Sequence, residues 1–454
     1  MKMREFERCK NFYFIGIGGV SMSSLAKFIR KIGYSVSGSD RENSEILQNL
    51  SREGIDVFIG EDSSRRALTE SNVVVYTDAI QEENIELREA KRLKKKIYAR
   101  AELLQILCQQ FAHTISVAGS HGKTTCTAMC AHILFETKSL FGAHIGGEDS
   151  QFSNFYLSGF DYFITEACEY KKNLLKIEKE TAILLNIDKD HMECYDGENE
   201  LIQTFKRYCE KSKTAFVCAD DKNCVDIGEF STFGIQNERA DYRAVNLRCK
   251  NGKYSFTVQE YGKALCRVHL NCVGKNNVYN ALAAFAVMRS YGFHEKEIAK
   301  GLQNFKSIKR RFEKIGSYNG ASFICDYAHH PKEILSSIQT AKGMAQGAVY
   351  VVFQPHTYSR TKFLMGEFVD SLCQIDNLMI YKTYSAREFY DEAGSAKTLA
   401  SNLGNCLYAE NLNMLNAWLK KTVKAGDIAL FLGAGDIYYA AKYILKELTG
   451  ESIE

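Results

Sequence analysis

Seven consecutive residues, 119–125, have the types and spacing of a phosphate-binding loop: Gly119, Ser120, His121, Gly122, Lys123, Thr124 and Thr125. An apolar, strand-like run precedes them and a helix-like stretch follows. At such a junction backbone N–H groups cradle phosphate oxygens, lysine neutralises the β- and γ-phosphates, and a hydroxyl reaches Mg²⁺. The spacing is shorter than usual, since Val117 stands where the first glycine would fall. The run predicts a site for ATP.

Two further residues are candidates for the magnesium site. Glu166 ends the strand-like run 162–166, and His191 follows another such run, 182–187. Mg²⁺ prefers oxygen ligands and accepts imidazole less often. Because parallel strands end at one edge of a sheet, we expect Thr124, Glu166 and His191 to converge there. Taken singly, Glu166 is also explained as a surface carboxylate and His191 as a structural histidine.

A second glycine loop lies near the N-terminus, with Gly16, Gly18, Gly19 and Ser21 between a strand-like run and a helix-like one. Asp40 ends the next strand-like run, about twenty residues on. This spacing is typical of a Rossmann unit, where glycines admit a diphosphate and the acid binds a ribose hydroxyl. The diphosphate of NAD and that of a UDP-sugar are equally compatible with the pattern.

A cluster of histidines lies in the last third of the sequence. His329 and His330 follow a strand-like run that ends near Asp326, and His356 and Arg360 follow the next one. Adjacent residues on a strand point in opposite directions, which argues against a metal pair. We interpret the cluster as one that orients an anionic or nucleotide substrate, with Arg360 suited to carboxylate or phosphate.

Strand-like and helix-like stretches alternate throughout, which predicts an α/β architecture with largely parallel sheets. The pattern restarts near residues 111 and 307, so we expect three domains, 1–111, 112–307 and 308–454. The phosphate loop predicts that the middle domain binds ATP, and the first glycine loop predicts that the first domain is Rossmann-like. Residues 241–273 read as short alternating strands within the middle domain.

Composition narrows the classes of function. A net charge of +3 without a long basic run argues against nucleic acid as a partner. The polar start at residues 1–5 leads us to expect no signal peptide, and no apolar stretch reaches membrane-spanning length. The 15 cysteines form no CxxC pair, which favours free thiols in a reducing cytoplasm.

These motifs, in this order, resemble the Mur ligase family along essentially the whole chain. The motifs are GIGGVSMSSLA (16–26), SGSD (37–40), GSHGKTT (119–125), EACEY (166–170), NIDKDHM (186–192), GKNNVYNALAA (274–284), KRRFE (309–313), DYAHHP (326–331), QPHTYSRTK (354–362) and GAGDI (433–437). The resemblance implies an N-terminal Rossmann-like domain that binds the UDP-sugar, a central P-loop-type ATPase domain and a C-terminal Rossmann-like domain. It also implies an ATP- and Mg²⁺-dependent ligase, a monomer or homodimer, that joins L-alanine to UDP-N-acetylmuramate through an acyl phosphate.

The resemblance also implies roles for single residues. The catalytic set is Lys123, His191, His330 and Arg360. The resemblance implies that ATP is bound by the phosphate loop together with Asn277, Asn280, Arg311 and Asp326. It implies that the substrate is lined by His329, His356 and Arg360, and that the UDP portion is held by Gly16, Gly18, Gly19, Ser21 and Asp40. The metal would be held by Thr124, Glu166 and His191.

The chain departs from the family pattern at a few positions. Asn276 stands where many members have His, and Thr77-Asp78 replaces a frequent Ser-Ser. Lys206 lies where some members carry a carbamylated lysine, and we expect it to be a surface residue.

Three other functions remain open at this point. A recycling ligase would join a preformed tripeptide to the same sugar nucleotide. A nicotinamide-dependent oxidoreductase would explain the first loop and leave Gly122-Lys123-Thr124 unexplained. A non-catalytic nucleotide-binding regulator would not need Lys123, Glu166 and His191.

Overall fold

Three β-sheets, each flanked by helices, form the framework of the computed structural model, which describes residues 4–60 and 65–450. The first sheet is fully parallel, in the order β3-β2-β1-β4-β5. Its strands are β1 (Asn11–Ile15), β2 (Ser35–Asp40), β3 (Asp56–Ile59), β4 (Val73–Tyr76) and β5 (Lys96–Ala99). Its helices are α1 (Val20–Lys31), α2 (Glu45–Arg52), α3 (Arg65–Glu70), α4 (Ile85–Arg92) and α5 (Arg100–Cys108).

The second sheet has ten strands, in the order β15-β14-β13-β12-β11-β10-β6-β9-β7-β8. They are β6 (His113–Ala118), β7 (Phe141–Asp149), β8 (Ser153–Leu157), β9 (Tyr162–Glu166), β10 (Thr181–Leu184), β11 (Thr214–Cys218), β12 (Ser231–Gly234), β13 (Tyr242–Lys250), β14 (Lys253–Glu260) and β15 (Lys263–Val273). The helices are α6 (Lys123–Glu136), α7 (Glu198–Glu210), α8 (Lys222–Val225), α9 (Asn276–Ser290) and α10 (Glu295–Asn304). The predicted strands within 241–273 are confirmed as β13, β14 and β15.

The third sheet has the order β16-β17-β21-β18-β19-β20, and only β16 runs antiparallel to its neighbour. Its strands are β16 (Glu313–Tyr318), β17 (Ala321–Asp326), β18 (Val349–Phe353), β19 (Asn377–Tyr381), β20 (Leu407–Ala409) and β21 (Ile428–Leu432). The helices are α11 (Pro331–Met344), α12 (Tyr358–Phe363), α13 (Met365–Leu372), α14 (Ala396–Leu403), α15 (Leu412–Thr422) and α16 (Ile437–Thr449).

Short 3₁₀ helices complete the framework at Arg4–Phe6, Tyr170–Lys176, Met192–Cys194 and Glu392–Gly394. The three-domain α/β architecture with mainly parallel sheets is confirmed. No helix among residues 4–60 and 65–450 is long and apolar enough to span a membrane.

Internal contacts divide the chain into two units. One comprises Met1–Asn246, Phe256–His269 and Tyr279–Phe305, and the other comprises Leu247–Ser255, Leu270–Val278 and Lys306–Glu454. The first unit therefore contains the first sheet and most of the second, and the second unit contains the third sheet. The domain boundaries after residues 111 and 307 stay predictions.

One interior strand of each sheet marks a reversal in strand order. β1 lies between β2 and β4, β6 between β10 and β9, and β21 between β17 and β18. Ligands of open α/β sheets bind at such reversals, beyond the carboxyl ends of the strands. Strands β1, β6 and β21 are almost wholly buried because their apolar runs are covered on both faces. The two glycine loops of the sequence follow β1 and β6.

One lysine is buried away from these reversals. Lys179 is 7% exposed, and its ammonium group makes no hydrogen bond to any described residue. It lies 4.0 Å above the ring of Tyr208, whose hydroxyl donates to the carbonyl of Ser116 in β6. Burial is the main cause that lowers the pKa of Lys179 from 10.5 to about 8.

Replacing this lysine with an apolar residue should stabilise the fold. Because the folded state disfavours the charged amine, the penalty is complete below about pH 8 and fades as the pH rises toward 10.5. We expect Lys179→Met to raise the free energy of unfolding by about 2 kcal/mol at pH 7. Urea denaturation at several pH values measures it, with the exposed Lys263→Met as control. A gain that is absent at pH 7, or that grows between pH 8 and 10, would contradict this account.

Candidate active site

The loop after β6 owes its shape to two glycines. Gly119 has φ +135° and Gly122, the residue before α6, has φ +85°, a region that side chains rarely adopt. A Cβ at Gly122 would also lie 2.4 Å from the side-chain oxygen of Asn280. Asn280, expected around ATP, is thus buried against the phosphate loop itself.

The segment after β10 holds this loop in place. Ser120 exchanges hydrogen bonds with the backbone of Asp188, at 2.8 and 3.0 Å. Asn186 accepts from the backbone N–H of His121 at 2.8 Å and donates to its carbonyl at 3.0 Å. The His121 ring lies 3.2 Å from the Asp188 carboxylate. Asn186 and Asp188 were not expected as site residues, although both belong to the NIDKDHM motif.

Lys123 is fully engaged by the protein. Its ammonium group lies 2.5 Å from the carbonyl of Gly119, 3.1 Å from that of Ser120, and 3.1 and 3.0 Å from the two carboxylate oxygens of Glu169. Burial alone would lower the pKa of Lys123, but attraction to Glu169 outweighs it and the pKa is raised. The lysine is therefore charged, as a phosphate ligand must be.

Thr124 and Glu166 lie together as predicted. The Thr124 hydroxyl donates to Glu166 Oε2 at 3.1 Å, and the backbone N–H of Gly146 in β7 donates to Oε1. A Cβ at Gly146 would lie 2.5 Å from both carboxylate oxygens, so only glycine leaves Glu166 its position. A hydroxyl beside a carboxylate at a phosphate loop is the donor set that Mg²⁺ prefers.

His191, the third expected metal ligand, adopts φ +54°. One ligand atom from each of Glu169, Asp190 and His191 lies within 4.8 Å of the others. His191 Nδ1 is also 3.3 Å from Glu193 Oε1. The structure thus groups His191 with acids that the sequence analysis did not select.

The loop after β1 is closed around Asp40. Its Oδ2 accepts from the backbone N–H of Gly18 at 2.8 Å, and its Oδ1 accepts from Arg41 at 2.8 Å. A Cβ at Gly18 would lie 2.8 Å from Oδ2, while Gly16 has φ +79° and Gly19 precedes α1. The Asp40 carboxylate therefore stabilises the loop through these hydrogen bonds, in addition to the ribose contact expected of it.

Ser21, in the first turn of α1, belongs to a hydrogen-bonded chain. Arg100 donates to its hydroxyl at 3.2 Å, and the same hydroxyl lies 2.8 Å from His144 Nε2. His144 Nδ1 lies 2.9 Å from the hydroxyl of Thr165, which donates to the carbonyl of Glu166 at 3.3 Å. Burial, reinforced by Arg100, lowers the pKa of His144 to about 3.

The directions of these hydrogen bonds follow from the neutral ring. Because Thr165 donates onward, it accepts from His144 Nδ1–H, and Nε2 accepts the proton of Ser21. The Ser21 hydroxyl is thereby occupied. Its first-turn backbone N–H is the group left for an anionic ligand.

The family departure at Thr77-Asp78 has a partner in this chain. The Asp78 carboxylate lies 3.7 Å from Arg100 and accepts from Asn173 at 2.8 Å, and its carbonyl accepts from Lys171. Asp78 thus supplies the counter-charge for the arginine that contacts Ser21.

The C-terminal unit brings several of its expected residues together. Arg360 donates to the carbonyl of His356 at 3.0 Å, and the ring of His356 lies 6.0 Å from that of His329. His329 Nδ1 lies 2.9 Å from the carbonyl of Tyr327, and its backbone N–H donates to Glu333 at 3.2 Å. His330 is buried at the start of α11.

Of the residues expected around the nucleotide, Asp326 and Arg311 lie near each other in this unit, and Asn277 lies in the first turn of α9. Asp326 ends β17, accepts from Ser337, and has a pKa that burial raises above its usual range. Arg311 stacks 4.8 Å from the ring of Tyr327 and lies 3.9 Å from Glu333. Asn277 donates to the carbonyl of Val273 at 2.7 Å. Asn276, a departure from the family pattern, donates to Ser336, and Lys206 is a half-exposed residue of α7, beside Glu210.

Several site residues were not selected from the sequence. They are Arg100, His144, Gly146, Glu169, Asn173, Asn186, Asp188, Glu333 and Ser337. Of these, Glu169 lies within the EACEY motif and Asn186 and Asp188 lie within NIDKDHM, so these three had a usable signal, and the others lie outside every motif.

Adding one methyl group at Gly146 should disturb the metal site without altering a ligand. We expect Gly146→Ala to displace Glu166 from Thr124 and to raise about tenfold the Mg²⁺ concentration needed for ATP to stabilise the protein. Thermal unfolding with ATP across a Mg²⁺ series measures this. Gly343→Ala, where a Cβ meets nothing within 4 Å, is the control. An unchanged Mg²⁺ requirement would show that Glu166 does not bind the metal.

Comparison with known proteins agrees with this geometry. Three family profiles match in order: "Mur ligase family, catalytic domain" over 11–112, "Mur ligase middle domain" over 117–288, and "Mur ligase, glutamate ligase domain" over 310–435. A UDP-N-acetylmuramate–L-alanine ligase of Caldicellulosiruptor bescii is 38% identical, covering 97% of this chain and 99% of its own. The Clostridium tetani protein of the same name is 37% identical, covering 96% and 98%.

Solved structures are similar over nearly the whole chain. The UDP-N-acetylmuramate–alanine ligase of Thermotoga maritima superposes with a TM-score of 0.83 at 26% identity, covering 97% of this chain and 100% of its own. A murein peptide ligase of Psychrobacter arcticus shares the fold, with a TM-score of 0.76 at 22% identity, covering 98% and 99%. By full-length identity, domain order and fold, the chain belongs to the Mur ligase family.

Proposed function

We propose that this protein is an ATP-dependent ligase that joins L-alanine to the carboxylate of UDP-N-acetylmuramate. The observation that carries the proposal is the phosphate loop with Lys123, Thr124 and Glu166 in place, in a chain that matches L-alanine ligases from end to end. The products are ADP, phosphate and the alanyl sugar nucleotide.

The reaction has two steps. An oxygen of the muramate carboxylate attacks the γ-phosphorus of ATP, the bond to the β-phosphate oxygen breaks, and an acyl phosphate and ADP form. The amine of L-alanine then attacks the acyl carbon, a proton leaves the nitrogen, and phosphate departs with its bonding pair. Both steps depend mainly on placing the reactants and on neutralising charge.

The residues divide this work by the charge that they present. Backbone N–H groups of Gly119–Thr125 receive the phosphates, and the Lys123 ammonium neutralises charge that moves toward the β-phosphate oxygen. Thr124, Glu166 and His191 would hold Mg²⁺, which supplies positive charge to the phosphate oxygens when bound. The loop amides of 16–21 would receive the UDP diphosphate, with Asp40 at the ribose.

Residues between 277 and 360 complete the proposed assignment. Arg360, fixed by the carbonyl of His356, is suited to the carboxylate of an incoming substrate because its guanidinium cannot lose its charge. His329, His330 and His356 would line the substrate, and Asn277, Asn280, Arg311 and Asp326 would surround the nucleotide. We also place the protein in a reducing cytoplasm, because all 15 cysteines are free thiols.

Phosphate release tests the proposal. With ATP, Mg²⁺ and UDP-N-acetylmuramate present, we expect L-alanine to support turnover, and glycine, L-serine and a murein tripeptide to support at least about tenfold lower kcat/KM. Mass spectrometry identifies the alanyl product. Turnover with the tripeptide and none with L-alanine would assign the recycling reaction instead. NAD binding without ADP release would place the chain outside both.

A further inference from the structure

Glu169 is a buried acid for which the proposed mechanism has no task. Its side chain is fully shielded from solvent, yet both carboxylate oxygens lie within 3.1 Å of the Lys123 ammonium group. A buried carboxylate held by one lysine is costly to desolvate unless the pair is well placed. The Lys123–Glu169 ion pair is therefore part of the structure of the phosphate loop.

The backbone around Glu169 is anchored from several sides. Tyr195 donates its hydroxyl to the Glu169 carbonyl at 2.5 Å, and the backbone N–H of Lys172 donates to the same oxygen at 2.9 Å. Lys171 and Lys172 adopt φ values of +49° and +57°. Two successive non-glycine residues in this region store strain, which persists only where the surroundings impose it. The turn thus fixes the direction from which the carboxylate meets Lys123.

The lysine must change partners when a triphosphate binds. An ammonium group has three N–H donors, and here four acceptor atoms already surround it. Two of them, the carbonyls of Gly119 and Ser120, belong to the loop that receives the phosphates. Glu169 belongs to the segment after β9 and not to the loop, and its side chain is shielded from solvent. It is therefore the partner that Lys123 can keep while the loop carbonyls exchange for phosphate oxygens.

From this geometry we propose that Glu169 is a positioning residue: it retains one ion pair with Lys123 throughout the reaction and aims the ammonium group at the phosphoryl group being transferred. The proposal rests on the proposed function for the identity of that group. It differs from a metal-ligand role, which the proximity of Asp190 and His191 would otherwise suggest.

A double-mutant cycle tests the coupling, using Glu169→Gln, Lys123→Met and both together. We expect Glu169→Gln to lower kcat about 10- to 100-fold and to change the KM for ATP by less than about fivefold, because the lysine still binds but is poorly aimed. Lys123→Met should lower kcat further. In its background, Glu169→Gln should cause no further loss, since no ammonium group remains to be positioned.

Two variants give the comparison its controls. Glu169→Asp keeps the charge and should restore part of kcat relative to Glu169→Gln. Glu178→Gln, which removes an exposed acid bonded to Gln109, should leave kcat unchanged. A merely structural role for Glu169 predicts that its loss adds fully to that of Lys123→Met, and that result would overturn the proposal. So would an unchanged kcat in Glu169→Gln, or a Mg²⁺ requirement raised about equally with and without Lys123.

A second readout separates this proposal from the assignment of the substrate. ADP with aluminium fluoride mimics a phosphoryl group in transfer, and its affinity is measured by calorimetry without L-alanine turnover. Glu169→Gln should weaken it about 10- to 100-fold in the Lys123 protein and not in Lys123→Met. If the wild-type protein turned over no L-alanine while this coupling held, the proposed function would fail and the role of Glu169 would stand. Equal weakening in both backgrounds would refute that role.

Discussion

The phosphate loop and the residues around it depend on one constraint: parallel strands end at a common edge of the sheet. β6 lies between β9 and β10, so the loop that follows it is flanked by Glu166 on one side and by 185–190 on the other. Register pairs Val117 with Glu166 and Ala118 with Leu184. Strand pairing therefore places Glu166 beside Thr124 and places the backbone that hydrogen-bonds Ser120, independently of side-chain contacts.

Three glycines shape the site because they have no side chain. At Gly18, Gly122 and Gly146 the space of a Cβ is taken by a polar group, respectively the Asp40 carboxylate, the Asn280 amide oxygen and the Glu166 carboxylate. Each of these polar groups can approach the backbone only because the glycine is there. The glycines thus hold the polar groups in place, in addition to admitting phosphates.

Strand ends, glycine turns and the helices behind them were predictable because each depends on a few neighbouring residues. The pairing of Thr124 with Glu166 followed from that pattern alone. The Lys123–Glu169, Arg100–Ser21 and His144–Ser21 contacts were not predictable, because they join segments separated by 46 to 123 residues and no local spacing encodes them. Asp40 was assigned to a ligand by its spacing, yet its oxygens also accept loop amides, a second use that composition cannot reveal.

One departure from the family pattern, Asp78, has charged and polar partners in this chain. Asp78 brings a negative charge into the first domain, and Arg100 and Asn173 are its partners. With Asp78 beside it, Arg100 can lie close to Ser21 while His144 stays neutral, and a neutral ring is what accepts the Ser21 proton and donates to Thr165. A charged His144 could not accept from Ser21. The charge at Asp78 therefore helps to set the hydrogen bonds between the diphosphate loop and the strand that carries Glu166.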